Sequence, residues 1–266
     1  MSVRRFLRGQ IPWPTLETVA REVAIRYDQD VVRVEFFEVD NWLSTPCVIN
    51  DTWFVKIISR QNAIVQSVFT GARNLGAVSS GTEGFFERFE SPVEMAKYEV
   101  TATRRIRDIG LNAPEPVEAF EVAGMGVLVL EYLDGMTRLD ELSGDETAAV
   151  VPDLFEALAT MHEHGLAHGD LREENVLVRD GNIYFIDATA VSEAGMAEAR
   201  AYDVASALAA LEPHVGARAV VEGATLHYTA DELLDAVDFL DFVNIRPDHD
   251  FDAAAVKGEV SKVAST

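Results

Sequence analysis

Residues 168–178 read HGDLREENVLV, and this stretch decides how the chain folds. A polar loop runs directly into a β-type apolar run, and a second run, NIYFID, follows the pair Asp180-Gly181. Asp-Gly between apolar runs is a strong hairpin signal, because both turn positions need positive φ. The pattern predicts two strands, ENVLV and NIYFID, that leave two polar segments at the same end. The first segment carries Asp170 and Asn175, five residues apart, and Asp187 closes the second strand twelve residues past Asn175. Two loops joined by a hairpin thus bring carboxylate and amide oxygens together, a donor set suited to a hard divalent cation.

Working outward, TLETVAREVAIRY (15–27) has helical spacing with Thr15 as the expected N-cap. VVRVEFFEV, TPCVI and TWFVKII follow, separated by DN and ND turn signals, and predict an antiparallel meander. Residues 60–92 are rich in Gly and Ser and predict an insertion. EMAKYEVTATRRIRDIG predicts a helix stopped at Gly110, and GVLVLEYL a buried strand. VVPDLFEALATMHEHG predicts the helix that leads into the opening loop. Beyond about residue 197 the pattern is helical, with a capping box at Thr229 and Glu232. The expected organisation is an α+β, two-lobed chain. Residues 1–30 form an N-terminal helical extension, 31–133 a small β-rich lobe with the insertion, and 134–266 a mostly helical lobe.

The 266 residues include 45 acidic and 22 basic side chains, a formal charge of −23, and only four lysines: Lys56, Lys97, Lys257 and Lys262. The acid is dispersed over a chain that is 48% hydrophobic, which excludes a disordered acidic tail. It suits a surface kept soluble in multimolar salt and disfavours loose nucleic-acid binding. The basic start MSVRRFLRGQIPW lacks the apolar core of a signal peptide, and no run is long and apolar enough to span a membrane, so a cytoplasmic protein is expected. Cys47, flanked by apolar residues, is expected to be a core thiol.

Phosphoryl transfer asks little covalent chemistry of a protein. It needs groups that hold Mg²⁺, a cation on the nucleotide phosphates, and a base or orienter for the acceptor hydroxyl. H-G-D-x4-N followed by I-D resembles the catalytic and metal-binding loops of the protein-kinase-like superfamily. HGD in place of HRD, and IDATA in place of DFG, is most similar to the RIO-type atypical kinases. The loops are also similar to those of the kinase of the tRNA threonylcarbamoylation complex and, more distantly, of aminoglycoside and other small-molecule phosphotransferases.

The resemblance implies a two-lobed kinase-like fold that binds ATP and Mg²⁺. Asp170 would orient the acceptor, Asn175 and Asp187 would hold metal, and Lys56 in WFVKII would meet the α and β phosphates. Glu99 would pair with Lys56, with Glu94 as the alternative. LVLEYLDG resembles the hinge, so Leu130 would be the gatekeeper, and the backbone of Glu131 and Leu133 would meet adenine. Asp203 in AYDVASAL resembles the aspartate that braces the HGD backbone. Arg172 stands where many protein kinases carry a lysine near the transferred phosphate, or is a solvated loop arginine.

Two features depart from the family pattern. No G-x-G-x-x-G precedes Lys56; the turn DNWLSTPCVI would instead offer Ser44 and Thr45 hydroxyls and backbone N–H groups to phosphate. The segment ATAVSEAGMAEARAYD is too short for a full activation loop and lacks A-P-E. A RIO-like serine/threonine kinase or ATPase is therefore expected, its acceptor a protein, a ribonucleoprotein or a small molecule. A small-molecule phosphotransferase and a nucleotide-binding pseudokinase scaffold are the alternatives. His162, His164 and His168 invite a zinc reading, but His162 and His164, two apart on a helix, point to different faces. Arg104, Arg105 and Arg107 are expected to be a salt-bridged helix face, with a docking site for a partner or RNA as the alternative.

Overall fold

The computed structural model describes residues 11–37, 44–63, 70, 74, 86, 89–189, 193–244 and 251–265. The chain divides into two compact units: Met1–Ala72, Arg88–Arg104 and Pro114–Asp134 form the first, and Arg73–Glu87, Arg105–Ala113 and Gly135–Thr266 the second. The first is built on a β-sheet and the second is mostly helical, in keeping with the expected α+β class. The turn DNWLS up to Leu43, most of the 60–92 insertion and residues 190–192 lie outside the described residues.

In the first unit, β1 (Val34–Phe36), β2 (Thr45–Ile49), β3 (Trp53–Ile58), β4 (Pro116–Val122) and β5 (Met125–Glu131) form one antiparallel sheet in the order β1-β2-β3-β5-β4. The meander turns between β2 and β3 through Asn50 and Asp51, at φ 53° and 50°, residue types that tolerate the left-handed region. Helix α1 (Trp13–Arg26) lays Val19 and Val23 against Cys47, Ile49, Val55, Ile57, Val127 and Val129 on one face of the sheet. Helix α2 (Pro92–Asp108) lays Ala96 and Val100 against Ile58, Leu128 and Leu130 on the other. Covering on both faces explains why GVLVLEYL is a continuous apolar run and not an alternating one.

Two helix starts differ from the expectation. The N-cap of α1 is Pro12, not Thr15. Pro14 fits in the first turn, where its missing N–H has no intrahelical partner to lose, and the Thr15 N–H is already bonded to the Pro12 carbonyl at 2.9 Å. Gly110 stops α2 as expected. Its φ of 89° lets Gly110 N–H bond the Arg107 carbonyl and Leu111 N–H the Ile106 carbonyl, a Schellman closure.

In the second unit, β6 (Thr137–Arg138), β7 (Val176–Arg179) and β8 (Asn182–Phe185) form a small antiparallel sheet. Asp180 and Gly181 turn the β7–β8 hairpin at φ 53° and 75°. Glu174 and Asn175, expected in the strand, stand instead in a 3₁₀ turn over Glu173–Asn175. Around the hairpin pack α3 (Gly144–Glu163), α4 (Met196–Val215), α5 (Ala217–Ala224), α6 (Ala230–Asn244) and α7 (Ala253–Ala264). Helix α3 begins six residues before the apolar pattern suggests, because Ser143 and Glu146 form a capping box ahead of it. The expected box at Thr229 and Glu232 is present at the start of α6, and Cys47 is buried in the sheet core, its thiol pushed up to about 12 by burial. No helix among the described residues is long and apolar enough to cross a membrane.

Candidate functional site

Lys56 reaches α2 because of strand register. It stands opposite Leu128 in the β3–β5 ladder, and cross-strand partners share a face, so Lys56 faces the helix that covers Leu128. There its Nζ lies 2.8 and 3.0 Å from the two carboxylate oxygens of Glu99. The pair is 8% and 13% exposed, a setting in which the two charges are screened far less than at the surface. Glu94 does not compete: its carboxylate accepts the Glu90 N–H at 2.7 Å and its own N–H bonds Ser91 Oγ, so it caps α2.

Leu130 is buried beside Ala96 and Val100 at the end of β5. The Glu131 N–H is already bonded to the Glu115 carbonyl at 2.9 Å, and the Tyr132 N–H to the Thr52 carbonyl at 2.9 Å. Of the expected hinge groups, the Glu131 N–H is thus engaged within the sheet. Ser44 is buried and Thr45 opens β2.

In the helical unit, Asp203 on α4 is fully buried and accepts the His168 N–H at 2.6 Å on one carboxylate oxygen and the Gly169 N–H at 2.8 Å on the other. His162 Nε2 lies 3.3 Å from the same carboxylate, and the Tyr228 hydroxyl lies 2.9 Å from His162 Nδ1. His162 and Tyr228 were not anticipated as parts of this support. His162 carried only the spacing of a surface pair, and Tyr228 lies 66 residues away in sequence with no local signal. The zinc reading fails on this geometry, since His164 instead bonds the Thr160 carbonyl and His168 the Ile186 carbonyl.

The His168 bond to Ile186 sets its tautomer. Nε2 donates to the Ile186 carbonyl at 2.9 Å, which leaves Nδ1 as acceptor for the Asp170 N–H at 3.4 Å. Burial holds the ring's pKa below its ordinary value despite the nearby Asp203 and Asp170 charges, so the imidazole is neutral. It orients the loop and has no proton to exchange near neutral pH.

The two polar segments are laced together. Ile186 N–H bonds the Asn175 carbonyl at 3.1 Å, and Thr189 N–H bonds the His168 carbonyl at 2.8 Å. Asn175 Nδ2 donates to the Asp170 carbonyl at 2.8 Å, which turns its own amide oxygen away from that contact. Asp187 follows at φ 62°, a left-handed conformation that a non-glycine residue holds only under constraint from its surroundings. Arg172 forms ion pairs with Asp170 Oδ2 at 3.4 Å and with Glu174. It is thus a bound loop arginine and not a freely solvated one.

This donor set fits magnesium. Mg²⁺ is held by one or two protein oxygens, the rest of its shell coming from phosphate and water, not by an all-protein cage. No group of three or more His, Cys, Asp or Glu among the described residues forms such a cage.

Residues 87–202 match the RIO domain family. The chain is 33% identical over 92 residues to the KEOPS complex subunit Bud32 of Pyrococcus abyssi, 34% of this chain and 41% of that protein. It is 30% identical over 122 residues to a probable bifunctional tRNA threonylcarbamoyladenosine biosynthesis protein of Thermoplasma acidophilum, 46% of this chain and 22% of that one. It is 30% identical over 87 residues to the RIO-type serine/threonine-protein kinase Rio1 of Haloferax volcanii, 31% of this chain and 29% of that one. In each case the match spans less than half of the relative's length. The resemblance carried by HGDLREEN and FIDATA is thus a RIO-type one, and residues 87–202 are similar to the RIO-type atypical protein kinases.

Proposed function

We propose that this chain is an ATP- and Mg²⁺-dependent phosphoryl-transfer protein, a RIO-like atypical serine/threonine kinase or ATPase. The observation that carries the reading is the Asp203-braced loop, in which Asn175 is tied to the Asp170 carbonyl and its backbone to the strand that delivers Asp187. Structural turns do not require two separate segments to be locked together by three bonds around carboxylates and an amide. The buried Lys56–Glu99 pair supports it independently.

Bound Mg-ATP supplies the phosphoryl group and the cation that neutralises charge developing on it. Glu99 holds the Lys56 ammonium, the group that would meet the α and β phosphates. Asn175 and Asp187 present oxygen ligands to the metal, and Asp170, its charge partly balanced by Arg172, orients an acceptor hydroxyl or a water. Leu130, Glu131 and Leu133 would receive the adenine, and Ser44 and Thr45 would offer their hydroxyls to the phosphates. One relative is a subunit of a named complex, which supports a phosphoryl turnover that switches a protein assembly.

Release of labelled phosphate from γ-labelled ATP tests the reading, with separate arms for autophosphorylation, slow hydrolysis and metabolite-stimulated turnover. The first two are expected, and Asp170→Ala is expected to lose about 10²-fold or more in either. Turnover that appears only with a small-molecule acceptor would move the assignment to a metabolite phosphotransferase. Full turnover by Asp170→Ala would remove that residue from the mechanism.

A further inference from the structure

The sheet of the first unit guards its two edges differently. On β4, Pro116 lacks an N–H, a bulge interrupts the ladder between Pro116 and Glu118, and Arg26 and Tyr27 hold the Glu118 carboxylate at the strand. Proline, a bulge and a charge each discourage another strand from pairing there. β1, at the opposite edge, carries neither proline nor bulge. The aromatic side chains exposed among the described residues all stand at it: Trp13 is 68% exposed, and Phe36 and Phe37 are each 39% exposed.

The ladder fixes which main-chain groups of β1 face away from the sheet. The Arg33 carbonyl accepts the Asn50 N–H at 3.0 Å, and the Phe37 N–H donates to the Pro46 carbonyl at 3.4 Å. Val34 stands opposite Ile49 and Phe36 opposite Cys47, so residues 33, 35 and 37 turn their groups toward β2. The N–H and C=O of Val34 and Phe36 therefore point outward, and among the described residues none of the four has a partner. Side chains alternate across the same strand. Val34 packs against the core under α1, and Phe36 meets Trp13 on that face with ring centroids 6.3 Å apart. Glu35 is exposed on the other face and has no ion pair among the described residues.

We propose that the outer edge of β1 takes an extended segment of a partner protein as an added antiparallel strand, and that the segment reads apolar, basic, apolar. Main-chain bonds to the four outward groups of Val34 and Phe36 align it, and side chains give the specificity. Segment residues opposite Val34 and Phe36 fall on the α1 face, where Trp13 and Phe36 offer exposed apolar surface. The segment residue opposite Glu35 stands in a non-hydrogen-bonded pair, the kind in which side chains lie closest, so a lysine or arginine there meets the Glu35 carboxylate. A second copy of this chain fits less well. The register that satisfies all four groups of both strands sets Glu35 directly against Glu35, a like-charge pair between two chains of formal charge −23.

The test uses the full chain and short fluorescent peptides in anisotropy titrations. The first probe has Val-Lys-Val at its centre between threonines and serines, the second replaces that lysine by glutamate, and the third keeps the lysine but is methylated on both valine nitrogens. The wild type is expected to bind the lysine probe about tenfold more tightly than the glutamate probe, and Glu35→Lys to reverse the order. Methylation removes the donors to Val34 and Phe36 and is expected to abolish binding. Trp13→Ala is expected to weaken binding of the lysine probe by about tenfold. Thermal unfolding of each variant confirms the fold. No binding of the lysine probe by the folded wild type, equal binding of the methylated probe, or an unchanged preference in Glu35→Lys would each overturn the proposal. So would a wild-type dimer in sedimentation that Phe36→Ala dissolves, which would assign the edge to a second copy.

Discussion

The carboxylate of Asp203 accepts the backbone N–H of His168 at 2.6 Å inside a fully buried site. The other oxygen of the same carboxylate holds Gly169, so one side chain on α4 fixes the start of the HGD loop. Asp203→Ala leaves two buried N–H groups without an acceptor and should cost roughly 3–5 kcal/mol of unfolding free energy. Asp203→Asn, which keeps one acceptor oxygen, should cost less. Urea unfolding measures both, and equal stability of Asp203→Ala and wild type would mean the loop is held by other contacts.

Lys56 and Glu99 form a nearly buried pair, so removing either leaves a charge without its counterion. Lys56→Met and Glu99→Leu should each destabilise the sheet unit, and the double variant should cost less than the sum of the two, because the double removes both charges together. A double-mutant cycle read by chemical unfolding checks this. Strict additivity would show that the two groups do not interact.

Gly126 on β5 fits under the first turn of α2 with no room for a side chain. A Cβ there would lie 2.1 Å from the Pro92 carbonyl oxygen, a backbone atom that cannot rotate away. Gly126→Ala should therefore displace α2, cost about 1–3 kcal/mol and weaken the Lys56–Glu99 contact. The expected signature is a lower melting temperature together with weaker nucleotide binding. Wild-type stability would mean that α2 yields without cost.

His168 gives a pH dependence. Burial depresses its pKa in the folded state, so below the ordinary value of 6.5 the unfolded chain takes up a proton that the folded chain refuses. Stability is then fully present above pH 6.5 and falls as pH drops through that value, by up to about 1.4 kcal/mol per unit. Glu173, raised by burial, works the other way, so Glu173→Gln should steepen the fall. Urea unfolding between about pH 8 and 5 measures the slope. A flat profile in the wild type, or the same slope in His168→Asn, would contradict the assignment.

Local signals carried much of this architecture. Asp180-Gly181 specified the β7–β8 hairpin, Gly110 the end of α2, and the uninterrupted GVLVLEYL a strand covered on both faces, each through the conformational demands of a few residues. The same hairpin relates the segments that carry Asp170, Asn175 and Asp187, which is why they could be named together as candidates. The starts of α1 and α3 were misplaced because periodicity reads only the apolar part of a helix, while Pro14 and the Ser143–Glu146 box extend it with polar turns. The support from His162 and Tyr228 was invisible because it depends on packing between elements far apart in the chain. Arg104 and Arg105, expected on a salt-bridged helix face, are exposed with no carboxylate within ion-pairing distance among the described residues, because pairing is set by side-chain neighbours in space, which overall composition does not report.

The central claim is that Asp187 belongs to a site for Mg-ATP. Thermal unfolding of wild type and Asp187→Ala, each with and without Mg-ATP, tests it most directly. At about 100 times its Kd, a ligand adds roughly 2.7 kcal/mol of stability. The account predicts a metal-dependent rise in melting temperature for the wild type that a folded Asp187→Ala lacks. No rise in the folded wild type, or an equal rise in the variant, would contradict it.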